Sequence, residues 1–209
     1  RGLGDVYKTQ IFVNVNEMGL INLLNCIRES KYRPKIIFPS TRLIYKGADK
    51  ALKEDDEKET KTIYAVNKIA CENLLYAYRQ NFDIPYTIFR ICVPFGNMFS
   101  DDYSFGTIGF FIRQASNDRR ITLYGDGSIK RTFTSMHDLC KQIVEVGMER
   151  VSDGEIYNIG GHYKAGISFI SWPESDLKME SGSTYFDSSK IERVMGKIVF
   201  ESLEELLKQ

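Results

Sequence analysis

The chain has 209 residues, with 28 Lys and Arg balanced against 28 Asp and Glu and 43% hydrophobic residues, which fits one folded domain or slightly more. With no net charge it lacks the field that gathers phosphate backbones or anionic lipid, so nucleic acid and membrane surfaces are excluded as partners and a small ligand is expected. No apolar run reaches the roughly 18 residues of a membrane span, and the N-terminus reads as neither signal nor transit peptide, so a cytoplasmic protein is expected.

In chain order, Val15, Met18, Ile21, Leu24 and Ile27 recur at three-residue steps and predict a helix over 12–26. The β-branched and aromatic run 35–38 predicts a buried strand stopped by Pro39, followed by a loop over 40–45. Segment 49–61 is nearly all charged and predicts a solvated loop or short exposed helix without chemistry. A second helix is expected over 62–80, with Ile69, Leu74, Leu75 and Tyr78 available for burial, before Pro85 opens a strand at 86–92. A Gly-, Asp- and Ser-rich loop (96–106), a helix (108–115), a strand (121–124) and a Gly-Asp-Gly turn (125–127) follow. A strand (131–134), a helix (136–148) and a strand (156–159) ended by Gly160 and Gly161 complete the readable pattern. Such alternation predicts an α/β fold with a doubly wound parallel sheet.

Cys26, Cys71, Cys92 and Cys140 each lie inside an apolar run without metal-ligand spacing and read as reduced core cysteines. The two histidines, His137 and His162, have no nucleophile signature beside them. No metal site is expected.

Chemistry is suggested first by YAVNK, in which Tyr64 and Lys68 share one helix face. A phenol ionises near pH ~10, but an adjacent ammonium favours the phenolate and would make Tyr64 a usable acid or base. The spacing alone is weakly specific. Upstream, PSTRLIY carries a strand into a loop bearing Ser40 and Thr41, the usual place for ligand groups beside a parallel sheet. A hydroxyl there could share a hydrogen bond with the oxygen whose proton Tyr64 takes; an ordinary strand-end turn is the alternative.

Taken together these segments resemble the extended short-chain dehydrogenase/reductase family, in particular its NAD-dependent nucleotide-sugar epimerases and dehydratases. NEMGLINLL is similar to that family's N-x-x-G-T-x-N-L-L helix, STRLIY to its Ser/Thr loop ending in V-Y-G, and YAVNK to its Y-x-x-x-K. RICVPFG resembles R-x-x-N-V-Y-G, YGDGSIKRTFTSMHDL resembles Y-G-D-G-x-x-x-R-D-F-x-H-V-D-D-L, and YNIGG and FDSSKIERVMG fit the closing segments.

The resemblance implies a Rossmann-like sheet, with 1–96 a partial NAD-binding domain carrying the catalytic helix. It makes 97–209 a mixture of a small α/β substrate-binding region and returning Rossmann elements. It implies NAD as cofactor, with NADP left open, a nucleotide-sugar or other small carbohydrate substrate, and a homodimer through the Tyr-bearing helix, for which Leu74, Leu75 and Tyr78 are available unless they face the sheet. Thr41, Tyr64 and Lys68 take the catalytic roles, and Tyr64, Lys68 and Ser40 lie against the cofactor. Arg131, Thr41 and Asn16 face the substrate, although Arg131 also reads as a surface strand cation and Asn16 as a polar residue at a helix start. Arg119 and Arg120 read as solvated helix-end charges.

Departures from the family pattern narrow the expectation. Arg42 and Leu43 stand where dehydratases and decarboxylases carry acids, which favours an epimerase, with a keto-sugar reductase as the close alternative. Val93 and Thr132 replace the family's Asn and Asp, and the opening G-x-x-G-x-x-G turn has no counterpart, so the sequence reads as a fragment missing the N-terminal βαβ portion. From another class, a non-catalytic dinucleotide-binding sensor or scaffold fits the same departures.

Overall fold

A computed structural model describes residues 9–96, 106–121, 128–161, 163–164 and 182–196. The chain enters through a π-helical turn, Val13–Met18, that runs straight into α1 (Gly19–Glu29). The Gly19 amide donates back to the carbonyls of Asn14 and Asn16, so one extra residue is accommodated without ending the helix. Then come β1 (Ile36–Thr41), a 3-10 turn (Arg42–Ile44), α2 (Ile63–Phe82), β2 (Tyr86–Ile91) and β3 (Val93–Phe95). The remaining elements are α3 (Gly106–Ser116), β4 (Thr132–Ser135), α4 (Met136–Met148), β5 (Glu155–Ile159), β6 (Tyr163–Lys164) and α5 (Ser189–Met195).

Two sheets result. In the first, β1, β2 and β5 pair in parallel in that order, with Ile36 opposite Tyr86 and Thr87 opposite Glu155. Helices cover both faces, as a parallel sheet requires. On one face Leu20, Leu24 and Ile27 of α1 and Cys71 and Leu75 of α2 pack on Ile36, Tyr86 and Ile88. On the other, Leu139 and Val146 of α4 and Ile191 of α5 pack on Phe89, Tyr157 and Ile159. The small second sheet pairs β3 with β4 in parallel and β4 with β6 antiparallel. The sheets meet where Gly161 follows β5, and a Cβ there would overlap the Phe133 carbonyl oxygen of β4.

Capping explains why the helices start where they do. Thr62 Oγ1 accepts from the Ala65 amide at 3.1 Å, and Ser135 Oγ accepts from the Asp138 amide at 3.0 Å. Helix α2 ends on Asp83 in the left-handed region, φ 54°.

Three expectations are corrected. The strand does not stop at Pro39 but runs on to Thr41; among the described residues β1 is an outermost strand, where a missing N–H is tolerated. Segment 49–61 forms no helix and is not simply solvated, because Leu52 is fully buried and pairs with Phe186. Cys26 is exposed, whereas Cys71 and Cys92 are buried as expected. Leu75 is buried and Leu74 and Tyr78 pack against the same core, as the burial reading of this helix expects, and Tyr78 Oη donates to Asn25 Oδ1 at 2.9 Å. The strand read at 121–124 beyond Ile121, the turn 125–127, most of the loop 96–106 and His162 lie outside the described residues.

Candidate active site at the carboxyl edge of the first sheet

Helix α2 runs against the direction of β1, so its N-terminal turn and the end of the strand come to the same edge. Lys68 fixes the meeting: its Nζ donates to the Pro39 carbonyl at 2.8 Å and stands 4.7 Å from the centroid of the Phe38 ring. Tyr64 is one turn nearer the helix start, about 6 Å along the axis, and Thr41 ends the strand two residues beyond Pro39. Thr41 is buried, and its Oγ1 accepts from the Leu43 amide at 3.2 Å, which starts the 3-10 turn. A hydroxyl that accepts still has its own hydrogen to donate.

The electrostatics differ from the expectation drawn from spacing. Burial pushes the Tyr64 phenol above its ordinary value, and burial also lowers the Lys68 ammonium. The lysine does not make the tyrosine acidic here, because its Nζ turns to the Pro39 carbonyl and lies 5.8 Å from the phenol ring centroid. Sequence spacing places the two residues on one face but does not choose the lysine rotamer.

The other candidates are placed separately. Ser40 is buried and its Oγ donates to Glu72 Oε1, so its hydroxyl is turned into the protein under α2. Asn16 is half-buried in the π-helical turn. That turn docks on α2 beside the candidate site, since Phe12 lies 6.3 Å from Tyr64 ring to ring and Glu17 accepts from Asn67 Nδ2. Arg131 donates through Nη1 to the carbonyls of Lys130 at 3.1 Å and Gly182 at 2.6 Å. Its backbone pairs with Thr184, so it ties the second sheet to segment 182–186. Arg42 reaches the same segment, with Nη1 2.7 Å from Thr184 Oγ1, and Leu43 packs with Ile44 and Tyr45. Neither supplies an acid beside Thr41.

Motif reading missed a buried polar network next to these residues. Arg90 on β2 is 3% exposed and Glu72 on α2 is 4% exposed. The guanidinium grips both carboxylate oxygens, Nε to Oε1 at 3.1 Å and Nη2 to Oε2 at 2.6 Å. Its Nη1 donates to Tyr45 Oη and to the Glu54 carbonyl, both at 2.7 Å, and Tyr45 Oη donates to Asn158 Oδ1 at 2.7 Å. An arginine inside the apolar run TIFRIC was the available signal, since a buried charge requires a partner.

A groove of about 510 Å³ lined by Arg33, Arg79, Gln80, Asp83, Pro85 and Asp153 lies at the opposite, amino end of the strands. None of the candidate site residues lines it. Among the described residues no cluster of three His, Cys, Asp or Glu side chains is arranged to hold a metal, and no helix is long and apolar enough to cross a membrane.

A parallel sheet wound on both faces by helices, with a tyrosine-lysine helix against the carboxyl end of one strand, defines a Rossmann-like α/β protein. The chain belongs to the NAD dependent epimerase/dehydratase family, whose model matches residues 5–160. It is 29% identical over 176 residues to the uncharacterized UDP-glucose epimerase YtcB of Bacillus subtilis, covering 84% of this chain and 54% of that protein. It is 25% identical over 218 residues to a UDP-glucuronate 4-epimerase of Thermodesulfobacterium geofontis, covering 95% of this chain and 64% of the relative. Among solved structures, the UDP-glucuronic acid 4-epimerase from Bacillus cereus in complex with UDP-glucuronic acid and NAD superposes with TM-score 0.78 at 26% identity, over 94% of this chain and 66% of that one. Pal from Bacillus thuringiensis shares the fold, with TM-score 0.83 at 22% identity over 100% of this chain and 71% of that one. The chain thus spans only part of these relatives, 54% of the Bacillus subtilis protein.

Proposed function

We propose that the whole protein is an NAD-dependent nucleotide-sugar epimerase in which Thr41, Tyr64 and Lys68 are the catalytic residues. The observation that carries the reading is the Lys68 contact to Pro39, which holds Tyr64 at the strand end where Thr41 stands. The donor set at this edge suits the groups such a protein must hold. An ammonium has three hydrogens, of which Pro39 takes one, so Lys68 can also serve ribose hydroxyls. The Thr41 hydroxyl can bond a sugar oxygen while Tyr64 exchanges a proton with that oxygen. NAD, when bound, supplies the hydride acceptor, and the protein supplies position and proton transfer. Arg42 and Leu43 lack the carboxyl groups that removal of a sugar proton at a neighbouring carbon would need, which supports epimerisation over dehydration. The two UDP-glucuronate 4-epimerases among its relatives support the same substrate class.

One observation favours a second reading. A phenol that burial keeps protonated is set to donate, and reduction of a keto-sugar needs a proton donor first. A keto-sugar reductase using NADH or NADPH would use the same three residues. Arg131 and Asn16 are proposed on the substrate side and Ser40 beside the cofactor, where its role would run through Glu72. The domain division at residue 96, a cytoplasmic location and a homodimer through the helices around Tyr64 belong to the same proposal. For the dimer, Ile11, Val15 and Met18 are exposed at four- and three-residue steps, with Val66 exposed on α2. Sedimentation of the complete protein tests it, and a strict monomer removes it.

The deciding experiment is Tyr64→Phe in the complete protein. NAD stays bound and turnover falls by about 10²–10⁴-fold, the usual worth of a positioned proton-transfer group. Unchanged turnover removes Tyr64 from the mechanism, and a protein with no turnover of any nucleotide-sugar but intact NAD binding returns the sensor reading.

A further inference from the structure

Glu72 and Arg90 hydrogen-bond to none of the three catalytic candidates, yet their contacts bracket one of them. Glu72 takes the hydroxyl of Ser40, the residue just before Thr41. Arg90 takes the hydroxyl of Tyr45, the residue that closes the 3-10 turn just after it. The chain is therefore gripped at positions 40 and 45 by the two ends of one ion pair. Between the grips, the Leu43 amide bonds Thr41 Oγ1 and the Tyr45 amide bonds the Arg42 carbonyl at 3.1 Å. Glu72 also stands two turns beyond Tyr64 on α2, so the same carboxylate belongs to the helix that carries the phenol.

Burying a charge pair is a poor way to gain stability, because apolar side chains of similar volume fill such space without the desolvation cost. What an apolar pair cannot do is hold two hydroxyl-bearing residues at fixed points on a loop. We propose that Glu72 and Arg90 are positioning residues that set Thr41 against Tyr64 by clamping the turn at Ser40 and at Tyr45. The inference rests on the reading of Thr41 and Tyr64 as the reacting site, and it adds residues that touch neither substrate nor cofactor.

The test is the double variant Glu72→Leu/Arg90→Met in the complete protein, which removes both charges and keeps apolar volume. It is followed by amide hydrogen exchange and by steady-state kinetics. The expected result is a melting temperature close to the parent's, with exchange at the Leu43 and Tyr45 amides faster by about tenfold or more while β2 and β5 stay protected. NAD remains bound, and kcat falls by about 100-fold at nearly constant KM, as loss of placement without loss of binding requires. Should the double variant not fold, Tyr45→Phe removes one oxygen from the clamp, and faster exchange at the same two amides is again expected. Parent-like exchange at Leu43 and Tyr45 in a folded variant overturns the proposal. So does a loosened turn with unchanged kcat. Exchange is read without substrate, so a clamp that fails there is distinguished from a wrong catalytic reading, which Tyr64→Phe tests separately.

Discussion

At the amino end of the first sheet Lys35 meets Asp153 at 2.7 Å with side chains 18% and 31% exposed, whereas at the carboxyl end Arg90 meets Glu72 at 2.6 Å with 3% and 4% exposed. The separations are nearly equal and the environments are not. Water screens the first pair, so its removal changes little. The second has given up its hydration and depends on every partner it keeps. The same contrast runs through the concave surfaces. The amino end has a roomy groove lined by cations and carboxylates together. The carboxyl end carries a hydroxyl at the last residue of a strand and a phenol and an ammonium on the first two turns of the helix tied to it. The two ends thus differ in the kinds of groups they carry and in how far those groups have left water.

The difference between the two ends can be measured. The largest effect is expected in the pH dependence of turnover. Burial holds the Tyr64 phenol above its ordinary value, so the folded protein keeps this proton where an exposed tyrosine starts to lose it. While the phenol stays mostly protonated its phenolate fraction grows about tenfold per pH unit, so a phenolate-dependent step keeps accelerating through the alkaline range, with Tyr64→Phe as the flat control. A plateau near neutrality would show instead that Lys68 leaves Pro39 and lowers the phenol.

Next comes Glu72→Ala, which strands the Arg90 guanidinium and should cost about 3–5 kcal/mol of folding stability by denaturant melts. A loss under ~1 kcal/mol would mean that water reaches the pair and the two ends are alike. Gly161→Ala should cost about 1–3 kcal/mol by forcing β5 and β4 apart. Thr62→Ala should cost about 1 kcal/mol through loss of its cap to Ala65, and it should fray the turn that carries Tyr64. Asp153→Asn, at the amino end, should change stability by less than ~1 kcal/mol.

Much of this arrangement could be read before any coordinates. Helix α4 occupies the expected 136–148 because a serine cap and an apolar stripe agree with each other. Elements set by a single contact were harder. Pro39 reads as a strand breaker, yet the breaker rule assumes a partner on the proline's side, and β1 has none among the described residues. Segment 49–61 reads as solvated by composition, which hides its anchors, buried Leu52 and the Glu54 carbonyl that takes Arg90. At the candidate site, the Tyr64 and Lys68 spacing reveals which face they share, but where the long lysine side chain ends depends on a backbone carbonyl brought in by tertiary packing. Glu72 and Arg90 are 18 residues apart and on different elements, so no local pattern connects them.

Gly161 has a mechanical consequence. There is no space for even a methyl group between it and the Phe133 carbonyl, so the backbones of the two sheets lie in direct contact here. Sliding the smaller sheet past the end of β5 would drive backbone into backbone at this contact, which fixes the spacing of the two sheets there.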